Sequence, residues 1–151
     1  MATKKKTKKK VNRPSYSVCL WGLDETTQKG ATLRALFKEM NIPVRTIKEN
    51  QLGDAVGSVA GLIGFRPSFK PFEENACLEE FILFNNVPSK SIQAFLALSR
   101  ERDCWVDHKA VITKFNKTWP LNELMIQIAQ EHAQLTQESE PISNPDSAEE
   151  N

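Results

Sequence analysis

The sequence FILFNNVPSKSIQAFLALSRERDCWVDHKAVITKFNKTWPLNELMIQIAQEHA, residues 81–133, is the densest run of periodic apolar residues in this chain. Phe81–Phe84 is short and continuously apolar, which is typical of a strand covered on both faces. The apolar residues that follow recur at helical spacing. Ala110–Lys114 predicts a second strand, and Pro120 favours the start of a last helix ending near Ala133. The stretch therefore predicts the order strand, helix, strand, helix.

The same order is predicted nearer the N-terminus. Tyr16–Gly22 predicts a buried strand, and Asp24 can cap a helix that runs to about Met40. Val44–Lys48 predicts a second, short strand. The intervening helix is long enough to connect two parallel strands.

These two patterns predict the domain organisation and the fold class. We expect one α/β domain at 15–135, with halves at 15–64 and 81–135 and a linker at 65–80. The two strand–helix–strand–helix halves should form one four-stranded, at least partly parallel sheet. A ferredoxin-like plait with an inserted helix is the alternative.

Four glycines, Gly53, Gly57, Gly61 and Gly64, recur at spacings of four, four and three. If helical, this segment has a flat glycine face that allows close packing of another segment. Ligand binding is the alternative, although the segment lacks the Gly-Lys-Ser/Thr ending of a phosphate-binding loop and the G-x-G-x-x-G pattern. We therefore expect close packing.

The overall composition is that of a globular protein with one domain. The chain has 151 residues, of which 40% are hydrophobic and 26% are charged. No apolar run approaches the roughly 18–20 residues that cross a bilayer, and no secretory signal is expected. The three cysteines are far apart, so we expect reduced thiols in a cytoplasmic protein.

The two ends of the chain carry opposite charges. Residues 1–13 carry a charge of +7 and residues 136–151 a charge of −5, although the net charge is only +1. We expect disordered tails at 1–14 and 136–151, because neither holds enough apolar residues to fold. The basic tail either binds nucleic acid non-specifically or only aids solubility. Its lysines are Lys4, Lys5, Lys6, Lys8, Lys9 and Lys10.

The candidate binding residues are Thr113, Asn116, Trp119, Glu131 and His132. Asn116 and Trp119 follow the end of the predicted 110–114 strand, where α/β folds place their ligand sites. His132 could act as a general base, with Glu131 as its orienting or acidic partner. Adjacent helix residues point about 100° apart, however, so these two side chains do not face each other. A packing or capping role is therefore favoured for His132. If the protein has a pocket, the loop after the 110–114 strand should line it.

A second cluster of reactive residue types is formed by Cys104, Asp107 and His108. A zinc site needs three or four suitably spaced ligands, and the other histidine is distant in sequence. A Cys–His nucleophilic pair lacks any recognisable oxyanion hole. We expect no metal site and no cofactor.

Residues of about 81–133 resemble a family of short bacterial and phage proteins known as domain of unknown function 3783. The resemblance lies in FILFNNV, SIQAFLAL and KAVIT, together with Asn116, Trp119, Leu124 and the pair Glu131-His132. One departure is Asn86-Val87, which stands where the family has a Gly-Phe-like turn. The resemblance implies a cytoplasmic bacterial or phage protein and no particular activity.

Three functions remain open from the sequence. The first is a non-enzymatic binding or regulatory module for a protein or small ligand, because the predicted core has no coherent catalytic set. The second is a nucleic-acid-associated protein that binds through its lysine tail. The third is a small enzyme that uses the region of Asn116, Trp119 and His132. No association with a membrane is expected.

Overall fold

The computed structural model describes residues 16–68 and 76–138. The lysine tail, residues 69–75 of the predicted linker and the acidic sequence after 138 lie outside this range. The first half contains strand β1 (Ser17–Trp21), helix α1 (Gln28–Glu39), strand β2 (Val44–Thr46), a 3₁₀ turn (Glu49–Gln51) and helix α2 (Val56–Val59). The second half contains β3 (Phe81–Asn85), α3 (Ser89–Glu101), β4 (Lys109–Val111) and α4 (Leu121–Glu138).

The four strands form one mixed sheet in the order β2-β1-β3-β4. β1 pairs with β2 in parallel, β3 pairs with β4 in parallel, and the central β1–β3 pair is antiparallel. This confirms the predicted α/β fold with a partly parallel four-stranded sheet. A ferredoxin-like plait has its helices on one face of an antiparallel sheet, so that alternative is wrong.

Helices cover both faces of the sheet. Because successive strand residues point to opposite faces, Val18 and Phe84 contribute to a core with α1 and α3. Cys19 and Leu83 point the other way, into a core with α2 and α4. Both central strands are therefore buried on both faces, which explains their continuously apolar sequences.

Two helix boundaries differ from the prediction. α1 begins at Gln28, because Thr27 is its N-cap and accepts a hydrogen bond from Gly30 N–H at 3.0 Å. Asp24 instead accepts from Thr26 N–H at 3.0 Å, in the preceding turn. α4 continues past Ala133 to Glu138, because the sequence there has no glycine or proline to stop it.

Helices α1 and α3 end in the same way. Asn41 and Asp103 follow them with φ of 62° and 58°, in the left-handed region. The next residue then bonds back into the helix: Ile42 N–H donates to the Phe37 carbonyl, and Cys104 N–H donates to the Ser99 carbonyl, both at 2.9 Å. Each helix is thus stopped by a short polar residue that tolerates this conformation.

The starts of α2 and α4 exchange main-chain hydrogen bonds. Val56 N–H donates to the Trp119 carbonyl at 2.8 Å, and Leu121 N–H donates to the Asp54 carbonyl at 2.9 Å. Positions 54 and 119, like 56 and 121, lie 65 residues apart. The two halves therefore meet here through equivalent positions, although α2 has 4 residues and α4 has 18.

The glycine-rich segment is not one helix, since only Val56–Val59 is α-helical. Gly57 is closely packed, because a Cβ there would lie 2.7 Å from the Phe65 ring. Gly61 has a φ of 77°, which places it in a turn after the helix. Close packing thus accounts for one glycine of the segment and turn geometry for another.

Candidate functional site

A cavity of about 460 Å³ lies along the free edge of β4. We call it the edge groove, and its principal lining residues are Ile92, Leu96, Val111, Trp119, Leu124 and Ile128. Ile92 and Leu96 belong to α3 and pack against the core on one face of the sheet. Trp119 and Ile128 pack against the core on the other face. The groove therefore passes over the edge of the sheet, with an apolar wall on each side.

The pairing of β4 with β3 determines which main-chain groups face the groove. The His108 carbonyl accepts from Ile82 N–H at 3.1 Å, and Ile112 N–H donates to the Phe84 carbonyl at 2.9 Å. In a parallel ladder, residues 108, 110 and 112 thus bond to β3. The main-chain groups of Lys109, Val111 and Thr113 point away from the sheet, towards the groove.

The Asn116 side chain forms hydrogen bonds with main-chain groups at one end of this open edge. Its Nδ2 donates to the Val111 carbonyl at 3.1 Å, and its Oδ1 accepts from Thr113 N–H at 2.9 Å. The Thr113 Oγ1 accepts in turn from the N–H groups of Phe115 and Asn116, both at 3.1 Å. The loop after β4 is thus held by the short polar side chains of Thr113 and Asn116, which form such turns readily.

The rest of the edge is open. Within residues 16–68 and 76–138, the Lys109 C=O and the Val111 N–H have no hydrogen-bond partner. The side chains beside them are apolar and partly exposed: Val111 is 44% and Phe115 is 72% accessible to solvent. An unpaired strand edge beside exposed apolar side chains is a template for another chain.

The groove has two charged residues that the structure holds in place. Lys109 Nζ lies 3.8 Å from the centre of the Trp105 ring and donates to the Val106 carbonyl. Burial lowers the pKa of Lys109 from its ordinary 10.5 to about 8. On the opposite wall, Glu131 accepts from the Gln127 side chain at 3.0 Å.

His132 lies outside the groove lining, half-buried. Its ring packs edge-on against His108, with 4.7 Å between the ring centres. Burial and, after it, the charge of His132 lower the pKa of His108. The structure thus brings the two histidines together, while Glu131 of the predicted pair faces the groove.

The groove therefore contains Thr113, Asn116, Trp119 and Glu131 of the five predicted residues. The loop after β4 lines it, as the sequence predicts for any pocket. A role of these residues in binding stays a prediction. The sequence does not single out Ile92, Leu96 and Val111, because their apolar side chains fit a buried face equally well. Only the position of β4 at the end of the sheet distinguishes them.

The second reactive cluster does not assemble a site. Cys104 is buried, and burial raises the pKa of its thiol. Within the described ranges, no group of three His, Cys, Asp or Glu side chains is arranged to hold a metal ion. Cys19 is also buried, which raises its pKa to about 12, and all three cysteines are free.

A second cavity, of about 470 Å³, lies at the carboxyl ends of β1 and β2 and was not predicted from the sequence. Asp24, Arg34 and Glu49 line it. The chain segment before β3 closes one side, where Trp21 Nε1 donates to the Leu78 carbonyl at 2.8 Å. Its lining is more polar and more charged than that of the edge groove.

In the part of the chain that the structure describes, no helix has the length and apolar character needed to cross a membrane.

No curated protein and no solved structure matches the chain. The lining residues of the edge groove all fall between Phe84 and Glu131. Residues 80–135, which contain them, match the model of the protein family described as Domain of unknown function (DUF3783), so this segment is similar to that family, as its sequence predicted.

Proposed function

We propose that the protein is an interaction module that binds an extended segment of a partner protein as an additional strand beside β4. The observation that supports this is the open edge itself. The Lys109 C=O and Val111 N–H face a groove that is walled by apolar side chains on both sides. Strand addition uses main-chain hydrogen bonds for affinity and the flanking pockets for specificity.

The dimensions and chemistry of the groove also support a peptide. Its volume of about 460 Å³ suits a few residues. Ile92 and Leu96 on one side and Leu124 and Ile128 on the other can cover apolar side chains of the partner. Trp119, half-buried at the groove, is of the residue type that most often dominates binding energy at interfaces.

The geometry gives less support to the enzyme that the sequence left open. His132 packs against His108 and is absent from the groove lining, so it is not placed to act as a base there. Glu131 accepts a hydrogen bond from Gln127. General acid–base catalysis needs the base within hydrogen-bonding reach of a substrate proton, and most side chains that line the groove are instead apolar.

A peptide library displayed on phage and selected on the full chain tests the proposal. Selected peptides are synthesised with a fluorophore, and their affinity is measured by anisotropy. Val111→Pro removes the edge N–H at a position where proline is tolerated in an edge strand. We expect this variant to bind at least about tenfold more weakly, since one hydrogen bond and its alignment are lost.

The matched control is Thr46→Pro. Thr46 lies 65 residues before Val111, on the other edge strand, and its N–H also points away from the sheet, because Ile47 N–H bonds to the Leu20 carbonyl. It should bind the peptides like the unchanged protein. Equal affinity of both variants and the unchanged protein, with circular dichroism showing all three folded, contradicts the proposal.

The lysine tail supports a separate proposal, weak binding of nucleic acid, which rests on sequence alone and lies outside the described residues. A cytoplasmic location is proposed on similar grounds. It agrees with three free cysteines, two of them buried. Neither proposal depends on the edge groove.

A further inference from the structure

We infer that the partner segment is a short run of consecutive apolar residues flanked by acidic residues, and not an alternating amphipathic strand. This inference rests on the proposed function, because it names the chemistry of the segment that would occupy the edge groove. It follows from the two walls of the groove, from the register of β4 and from two lysines beside the edge.

The two walls lie on opposite faces of the sheet. Ile92 and Leu96 of α3 pack against the core that contains Phe84. Trp119 and Ile128 pack against the core that contains Leu83. A strand placed beside β4 continues the sheet, so its side chains point alternately to these two faces. Most of the lining side chains on both faces are apolar.

The register of β4 assigns each position of the partner to a wall. Ala110 pairs with Leu83, and Val111 pairs with Phe84, so these two β4 residues point to opposite faces. A partner residue level with Ala110 therefore points towards α4. Partner residues level with Lys109 and Val111 point towards α3. This assignment is the same for a parallel and for an antiparallel partner, since paired residues share a face in both.

An alternating segment would place polar side chains against one of the walls. Burying a hydroxyl or carboxylate without a hydrogen-bond partner is unfavourable. The α3 wall offers Ile92 and Leu96, and the two polar side chains of the α4 wall, Gln127 and Glu131, already bond to each other. A continuous apolar run has no such penalty. The chain itself shows the pattern, because β3, with the sequence FILF, is buried on both faces in the same sheet.

A lysine lies at each end of the edge. Lys109 is at the start of β4, and Lys114 follows the strand with its Nζ 5.3 Å from the centre of the Phe115 ring. Acidic residues before and after the apolar run would lie near these ammonium groups. Charges at the rim of an interface mainly set association rate and partner choice.

Asn116 sets the length of the segment. Because its side chain already bonds to the Val111 C=O and the Thr113 N–H, the edge available to a partner ends at Val111. Three partner residues, level with positions 109 to 111, therefore fill the paired part of the groove. This agrees with a short run and not with a long strand.

Two peptides of identical composition test the inference. SEIVLE has three consecutive apolar residues between acids, and IEVELS has the same residues in alternation. Each is labelled with a fluorophore and titrated with the full chain, with Val111→Pro, and with the two wall variants Ile92→Ser and Ile128→Ser. Both wall residues are half-buried, and thermal unfolding verifies that the variants remain folded.

We expect SEIVLE to bind at least about tenfold more tightly than IEVELS, and each wall variant to weaken SEIVLE by about fivefold or more. Equal binding of the two peptides overturns the inference, and so does a loss of SEIVLE affinity in only one of the two wall variants. Strand addition itself still holds in either case if Val111→Pro weakens binding. If neither these peptides nor any library peptide is affected by Val111→Pro, the proposed function falls as well.

Discussion

The side chain of Asn116 occupies the position of a neighbouring strand beside Val111. Its Nδ2 lies 3.1 Å from the Val111 carbonyl oxygen, and its Oδ1 accepts from Thr113 N–H at 2.9 Å. The edge of β4 is thereby divided into a capped part and an open part. Natural sheets protect their edges against unwanted pairing, and this amide protects one end only.

Asn116→Ala should therefore do two things. It should lower the free energy of unfolding by about 1–2 kcal/mol, because two hydrogen bonds at a partly exposed site are lost. It should also promote self-association through the longer open edge, measured as a rise in sedimentation coefficient with protein concentration.

Gln51→Ala is the control for that experiment. Gln51 Oε1 accepts a hydrogen bond from Lys48 N–H at 2.7 Å. These two residues lie 65 positions before Asn116 and Thr113, which make the equivalent bond in the second half. Among residues 16–68 and 76–138, Gln51 makes no second amide bond like that of Asn116 to Val111, so this variant should stay monomeric under the same conditions. Equal behaviour of the two variants would show that Asn116 has no special role in protecting the edge.

Phe95→Ala should destabilise the protein strongly. Phe95 is buried, stacks on Phe37 with ring centres 4.6 Å apart, and contacts Phe84 edge-on at 5.8 Å. Truncating such a side chain costs about 3–5 kcal/mol. Chemical denaturation should show this loss, and the exposed neighbour, substituted as Gln93→Ala, should change the stability by about 0.5 kcal/mol or less. A loss below about 1 kcal/mol for Phe95→Ala would contradict the packing described between α1 and α3.

Lys109→Met should change how stability depends on pH. Burial lowers the pKa of Lys109 to about 8 in the folded protein, against 10.5 ordinarily, so the unfolded chain binds more protons between these values. Stability of the unchanged protein therefore rises with pH across this window and is lower below pH 8.

The variant lacks this titration. We compare the free energy of unfolding of the variant with that of the unchanged protein at each pH. The variant minus unchanged difference should be about 1 kcal/mol more positive at pH 7 than at pH 10.5, after allowing for the partial exposure of Lys109. Urea unfolding at the two pH values measures the difference. A constant difference would mean that Lys109 titrates near its ordinary pKa.

Deleting residues 2–10 should separate the two proposed binding activities. The deletion removes all six lysines of the tail. Any affinity for single-stranded DNA should be lost, and in the full chain it should fall steeply between 50 and 200 mM salt. Peptide binding at the edge groove should not change. Salt-independent DNA binding, or DNA binding that survives the deletion, argues against the role of the tail.

The sequence predicted much of the fold because the strongest patterns lie in its central strands. The continuous apolar runs around Val18 and Phe81 could only be buried on both faces, which requires helices on both sides of the sheet. Cap positions were less predictable. Asp24 and Thr27 are both good N-cap residues, and only the turn between them decides which one starts α1.

The predicted turn at Asn86 has a simple physical reason. Asn86 has a φ of 58°, and Gly22 follows β1 at the equivalent position, 64 residues earlier, with a φ of 75°. Glycine adopts the left-handed region most easily, and asparagine tolerates it. Asn86 therefore follows β3 in the same left-handed region that Gly22 adopts after β1, which the sequence alone could not establish.

The candidate site was predictable only in part. Asn116 and Trp119 stood out because they are polar or aromatic residues after a strand. The walls did not, because Ile92 and Ile128 have the periodicity of ordinary core residues. Whether such a residue faces the core or an open groove depends on the strand order, and the order β2-β1-β3-β4 places β4 at an edge.

The most direct test of strand addition is amide hydrogen exchange at Val111, followed by NMR with and without a saturating selected peptide. In the free protein the Val111 N–H has no partner within the described residues, so it should exchange rapidly. Strand addition predicts that the bound peptide slows this exchange by about a hundredfold or more, while the Thr46 amide on the opposite edge is unchanged. A peptide that binds and leaves the Val111 amide exchanging at its original rate would contradict strand addition at β4.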